Sequence, residues 1–503
     1  MWSKLSTSRF DFAAQAILYV AVAGVFGVFP ALVTRDLNWC YSYMGPDSWD
    51  WLVNGLYWSG APVTASFRPP GLPLVIAMLH RLSALPLLPF LNFAMFGLAA
   101  ALLHRFVRLR HSALVAALAV LLFVSNGSLF GYARYVMAEV WTLPFLLGAA
   151  IAFVGAQEAP RKYFLCALLL SLGFLFHYAA AVVGLAFAVV LLLYRRATLA
   201  TRTPWLALLT STILPVLWVV ARAVHNRARA NGHNVEGLVD PSLHNVRYFA
   251  VVAVALVGVA ALPLYLAGFA RLLPRRGRRL DPWAQVVLFP LLSLALFFSL
   301  VYDWTDKRFL YYLFPFAIAV AAEGLAALAD YARGGRLRTA VSAVALGIVL
   351  LWNRIPYPDA THTLVALTPR SFLDAAHGVQ TAKMVALPSG WSLSLFTSDG
   401  FFAYDPPSKI CAAPSEQAAV PAMRELLDGR LRPGEAIALA SNSTKPETYW
   451  LETNRLSFAL ERPIVKPGEA LFLVRPLLAP DPRALTTIGP FELFDLKAIG
   501  AAE

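Results

Sequence analysis

The chain has 503 residues, of which 59% are hydrophobic and 14% charged, and a formal net charge of +13. So few charges, against about 25% in an average soluble protein, exclude an ordinary water-soluble globule of this length. The positive residues sit in short clusters between apolar blocks rather than on one basic face, so the net charge does not point to nucleic acid.

The first block, Ala13 to Val33, is free of charge and follows Lys4 and Arg9. Ala21-Val22-Ala23 resembles a signal-peptide cleavage site, but the apolar run continues beyond it, which predicts a retained first helix. Further helices are predicted over 87–106, 113–126, 136–154, 164–177, 178–194, 205–221, 249–270, 285–302, 309–328 and 338–352. Most approach the roughly 20 residues that cross a bilayer core, so about eleven spans are expected. The intervening Lys and Arg clusters alternate. Lys4 and Arg9, Arg105 to Arg110, Arg161 and Lys162, Arg195 to Arg202, Arg271 to Arg279, and Arg333 to Arg338 form one set. The positive-inside rule places that set in the cytoplasm, with Arg222 to Arg229 as an exception on the other side. The N-terminus is then cytoplasmic and the C-terminus external.

Two external segments are long, 34–86 and 224–247. Leu72 to Leu85 is amphipathic and too polar to span, so it is expected to lie in the interface. After Trp352 the composition becomes that of a soluble protein. Strand-like runs at Met384–Leu387, Ser394–Thr397, Ala436–Ala440, Ala470–Val474 and Phe491–Leu496, with a helix over Ala418–Asp428, predict a small external α/β domain over 353–503. The expected architecture is a polytopic α-helical membrane domain, 1–352, followed by that soluble domain. The three cysteines show no metal-site spacing; Cys40 and Cys411 both fall outside, where a disulfide could persist, but two free thiols are the favoured reading because same-side placement says nothing about distance.

Charges near membrane depth are costly and mark the places where chemistry could sit. Gly45-Pro46-Asp47-Ser48-Trp49-Asp50-Trp51 holds two carboxylates three apart; the plain structural alternative is a helix start capped by Asp47 with Asp50 at the third position. In Phe67-Arg68-Pro69-Pro70-Gly71 the prolines fix an extended lead into the interfacial stretch, and Arg68 is either a phosphate ligand or a snorkelling cation. Tyr132-Ala133-Arg134-Tyr135-Val136-Met137-Ala138-Glu139 puts Glu139 about one turn inside a span, as a functional carboxylate or as an ion-pair partner of Arg134. Lys307 and Arg308, before Phe309-Leu310-Tyr311-Tyr312-Leu313-Phe314-Pro315, break the charge rule beside an apolar helix, as interfacial anchors or as a lipid-phosphate site. His177-Tyr178, between two helices, is assigned to packing.

The order of these pieces resembles the GT-C superfamily of integral-membrane glycosyltransferases. The likeness is to its lipid-carrier-dependent branch, which includes bacterial aminoarabinose transferases and protein O-mannosyltransferases. The matching features are an external Asp47 after the first helix, Arg68-Pro69-Pro70 opening an interfacial helix, Glu139 starting a span, and Lys307-Arg308-Phe309-Leu310 with Pro315 opening a late one. The resemblance covers about residues 10–330. Asp50 falls where many members carry an aromatic residue, and Arg68 where many carry Lys.

The resemblance implies sugar transfer from a polyprenyl-phosphate donor to a lipid, glycan or protein acceptor at the outer face of a bacterial inner membrane. Asp47 is then the base, and the transfer inverts the anomeric carbon. Arg68, Arg134, Glu139, Lys307, Arg308 and Asp50 are the substrate-binding candidates, and a divalent cation on Asp47 and Glu139 remains open. The rivals are a secondary transporter, against which the absence of a repeat speaks, and a scaffold whose C-terminal domain binds a partner.

Overall fold

A computed structural model describes residues 48–63, 68–126, 136–229, 260–274, 280–301, 307–353, 364–369, 381–386, 391–396, 414–432, 435–439, 460–465, 472–476, 484–488 and 491–496, with isolated positions between them. The helix expected over 13–33, Asp47, Arg134, Cys40 and Cys411 lie outside the described residues. Lys307 lies in a described turn, but its side chain is outside them.

The chain divides into two compact units. One is built from the segments 92–133 and 138–403, the other from 31–91, 134–137 and 404–503. The first unit is largely helical. Its helices are α3 (Leu88–Arg108), α4 (Ala113–Val124), α5 (Ala138–Gly155), α6 (Lys162–Phe176), α7 (Ala179–Tyr194), α8 (Arg202–Arg229), α9 (Leu262–Leu272), α10 (Pro282–Leu296), α11 (Leu310–Ala332) and α12 (Arg336–Asn353), the division falling within α3 at Asn92. Among the described residues, five helices are long and apolar enough to cross a membrane: Phe90–Arg108, Ala138–Gly155, Arg202–Val224, Pro282–Val301 and Leu310–Ala332. Five more are shorter and apolar. Within 249–270, the described helix is Leu262–Leu272, whose start is fixed by Pro263 in its first turn.

The helix ends follow from local chemistry. Asp281 is extended and its carboxylate accepts from the backbone N–H of Trp283 and Ala284, with Pro282 opening α10. Ser112 caps α4 by accepting from Val115. His177 is extended and separates α6 from α7. A π-turn at Phe297–Val301 continues α10. Among the five long apolar helices α5 and α11 are the most buried, whereas α8 turns most of its apolar side chains outward, Leu209, Leu217 and Val220 among them. An integral membrane protein with several spans accounts for such a surface, because lipid accepts what water does not.

Two glycines set the closest helix contact. Gly268 of α9 lies against the backbone carbonyl of Val320, and Gly324 of α11 against that of Leu264. A Cβ at either position would occupy the space of the facing carbonyl, so small residues are what let α9 and α11 meet backbone to backbone. The first unit also carries an antiparallel three-stranded sheet, β1 (Leu364–Pro369), β3 (Trp391–Phe396) and β2 (Thr381–Ala386) in that order.

The second unit begins with α1 (Ser48–Ser59) and α2 (Gly71–Arg81), which pack together, Ile76 closing on Gly55. Its other part is α13 (Pro414–Asp428) with a five-stranded mixed sheet. The strands are β4 (Ile437–Leu439), β5 (Ile464–Val465), β6 (Phe472–Pro476), β7 (Thr486–Ile488) and β8 (Phe491–Asp495), in the order β5-β4-β6-β8-β7. The β5, β4 and β6 strands run parallel; β8 and β7 continue antiparallel. Met423 and Leu427 of α13 pack on Ile437, Val474 and Leu493. The fold is therefore mostly helical with a small C-terminal mixed sheet.

Candidate functional site

In the second unit the candidate centre is Asp50 with Arg68. Asp50 stands in the first turn of α1 and is 1% exposed. Its carboxylate accepts from the Arg68 guanidinium Nε and from Asn54 Nδ2, the latter at 3.2 Å. Asn54 also receives the backbone N–H of Arg68 at 2.9 Å, so one amide side chain holds both the acid and the base. The Arg68 guanidinium lies 5.3 Å from the centre of the Trp51 ring. Pro69 and Pro70 then lead into α2, where the Pro70 carbonyl accepts from Leu74. The arginine thus stays partly exposed while its carboxylate partner is enclosed.

In the first unit Glu139 stands in the first turn of α5, where the helix dipole favours an anion. It is buried, and its Oε1 lies 3.7 Å from Nε of Arg308. Arg308 sits in the 3₁₀ turn Lys307–Phe309 that leads into α11, with its guanidinium 5.4 Å from the Phe309 ring. Among the described residues Arg308 faces Glu139, while Arg134, the partner that the sequence offers, lies outside them. The structure brings together Asp50 with Arg68, and Glu139 with Arg308.

His177 packs, as the sequence suggests: its ring stacks on Tyr312 at 4.4 Å, and Nδ1 accepts from Ala179. Phe298 stacks on Phe309 at 4.9 Å beside it. Arg222 was legible only as a charge on the wrong side. It donates to the Tyr178 hydroxyl at 2.8 Å, with its guanidinium 5.7 Å from that ring. A second missed cluster surrounds Glu323, a lone acid enclosed in α11. It pairs with Arg110, with His111 at 3.4 Å and with Arg271 at 3.6 Å. Arg110 also pairs with the capping Asp281. An acid inside an apolar helix was the signal for it. Its neutralising partners make it a structural tie between α9, α10, α11 and the turn after α3.

Among the described residues, no group of three or more His, Cys, Asp or Glu is placed to hold a metal ion. Each described candidate carboxylate faces a guanidinium; Asp47, the other candidate cation ligand, lies outside the described residues.

Among the described residues, ten apolar helices and a C-terminal mixed sheet mark an integral membrane protein, and the solved structures that it matches give it a GT-C-like fold. The chain shares that fold with ArnT from Cupriavidus metallidurans bound to undecaprenyl phosphate, at 14% identity and TM-score 0.57, over 95% of this chain and 97% of that one. It also matches the Archaeoglobus fulgidus oligosaccharyltransferase in complex with zinc and sulfate, at 12% identity and TM-score 0.52, over 91% and 68%. The oligosaccharyltransferase AglB from the same organism, in complex with an inhibitory peptide and a dolichol-phosphate, matches at 11% and 0.50, over 93% and 70%. No family model and no curated protein sequence matches the chain.

Proposed function

We propose that the protein is a glycosyltransferase that moves a sugar from a polyprenyl-phosphate donor to an acceptor at the outer face of the membrane. The observation that carries this reading is the pair of enclosed acid–guanidinium contacts, Asp50 with Arg68 and Glu139 with Arg308, on a fold whose relatives hold undecaprenyl phosphate or dolichol phosphate. Fixed guanidinium groups of this kind favour loss of a lipid phosphate as leaving group.

In the proposed step the acceptor hydroxyl oxygen attacks the anomeric carbon. The carbon–oxygen bond to the phosphate breaks, and the phosphate leaves with the electron pair. The proton passes to Asp47, and attack from the face opposite the phosphate inverts the anomeric carbon. Arg308, Lys307 and Arg68 stabilise the departing phosphate by charge-assisted hydrogen bonds. Glu139 fixes Arg308 from the start of α5, and Asp50 reaches the donor through Arg68. Arg134 completes the proposed set.

The test is direct. Purified protein in detergent is incubated with polyprenyl-phosphate sugars and an acceptor pool, and products are read by mass. Sugar-bearing product with free polyprenyl phosphate is expected. Movement of intact substrate across vesicles without bond cleavage would overturn the proposal.

A further inference from the structure

At the far end of α5, away from Glu139, a second charged group sits in the protein interior with no acid paired to it among the described residues. Arg195 ends α7 and is 7% exposed. Its Nη1 donates to the Phe153 carbonyl at 3.2 Å, and its guanidinium lies 4.5 Å from the Phe153 ring, which is itself stacked on Phe187 at 4.4 Å. This fixes the plane of the guanidinium. The opposite edge, Nε and Nη2, is buried and has no hydrogen-bond partner among the described residues. That edge carries two parallel N–H groups, the fork that a carboxylate or phosphate accepts bidentately.

The surroundings select an anion. Lys162, at the start of α6, lies against Gly155, where the missing side chain leaves room for its ammonium. Two cations from different helices therefore flank the last turn of α5. Arg161 and Arg196 are exposed neighbours in sequence, and the acid in the α5–α6 turn, Glu158, is exposed and makes no ion pair among the described residues. Capping the α5 carbonyls uses one donor of Arg195 and leaves the fork. A buried guanidinium with two unmet donors is costly unless something accepts them. Phe153 lies fourteen positions beyond Glu139 on the same helix, about 21 Å along its axis, so this site is separate from the candidate active centre.

We propose that Arg195 and Lys162 form an anion site between α5, α6 and α7 that takes a phosphate group. The group is either the phosphodiester of an anionic lipid headgroup or a free phosphate. The segment belongs to the Arg-rich set of loops, where basic pockets between spans meet acidic headgroups.

The experiment titrates full-length protein in neutral detergent with phosphatidylglycerol, phosphatidylcholine or inorganic phosphate, reading retention by native mass spectrometry and protection by thermal shift. Phosphatidylglycerol should bind and protect, and phosphatidylcholine should not. Arg195→Met should weaken that binding about tenfold, the loss of a charge-assisted fork, and Arg195→Lys should restore part of it. Arg202→Gln, an exposed cation nearby in sequence, should bind as the wild type does. If only inorganic phosphate responds, with the same dependence on Arg195, the site is supported and its ligand is soluble. Equal binding by Arg195→Met and wild type, or an equal loss in Arg202→Gln, would overturn the site. If Arg195→Met does not fold, Lys162→Gln decides: a several-fold loss supports the proposal, and unchanged binding refutes it.

Discussion

Removing Arg308 separates a structural ion pair from a phosphate ligand. Arg308 and Glu139 are both largely enclosed and face each other at 3.7 Å. With an effective dielectric of about 20, that distance corresponds to about 4 kcal/mol of Coulomb attraction. Deleting one partner of a buried pair costs roughly 3–5 kcal/mol, because the other charge is left uncompensated. Other contacts of Glu139 relieve part of that, so Arg308→Ala is expected to destabilise by about 3 kcal/mol. The midpoint of thermal inactivation in detergent should fall accordingly. The Glu139→Gln, Arg308→Gln double variant removes both charges and should recover most of the stability, since a neutral pair needs no counter-ion. It should not recover donor use, which requires the guanidinium. Arg308→Lys should keep the charge and lose the bidentate fork, giving partial turnover. Turnover is assayed by polyprenyl phosphate released per enzyme. Full turnover in the double variant would refute the assignment and leave Arg308 as a structural partner of Glu139 alone.

Three further outcomes follow from other parts of the molecule. Asp50→Ala releases Arg68 from its fixed position while Arg68 keeps contact with solvent, so donor KM should rise more than protein stability falls; an unchanged KM would remove Arg68 from the donor site. Gly324→Val should destabilise by at least about 1–3 kcal/mol, as overpacking does, because its side chain meets the Leu264 carbonyl rather than a movable side chain. Retained thermal stability would contradict the close approach of α9 and α11. A reporter active only outside the cytoplasm, fused after Glu503, should be active by the distribution of Lys and Arg; activity of a cytoplasm-only reporter there would invert the proposed orientation.

The helices were legible because each apolar block carries its own signal. The spans predicted over 87–106 and 309–328 appear as Leu88–Arg108 and Leu310–Ala332. The stretch from Leu72 to Leu85 yields the shorter Gly71–Arg81, stopped before Ser83, whose φ of 54° no helix accepts. Strands β5 and β7 were not legible. Ile464–Val465 is two residues long and gains its place only by parallel pairing with β4, and Thr486–Ile488 is a short edge. Such segments carry no period of their own. For the site, sequence could nominate Asp50, Arg68, Glu139 and Arg308 as costly charges. It could not pair Glu139 with Arg308, because that contact joins the starts of two helices far apart in the chain. Asn54 escaped notice for the same reason: its role lies in a contact with Arg68 across a turn.

The most direct test of the central claim is the rate of sugar transfer by Asp47→Asn. The substitution keeps shape and capping ability but cannot accept a proton. The account predicts normal expression, normal donor binding and a rate lower by roughly 10²–10⁴, the usual contribution of a positioned general base. Transfer at the wild-type rate would contradict it and pass the role of base to another group.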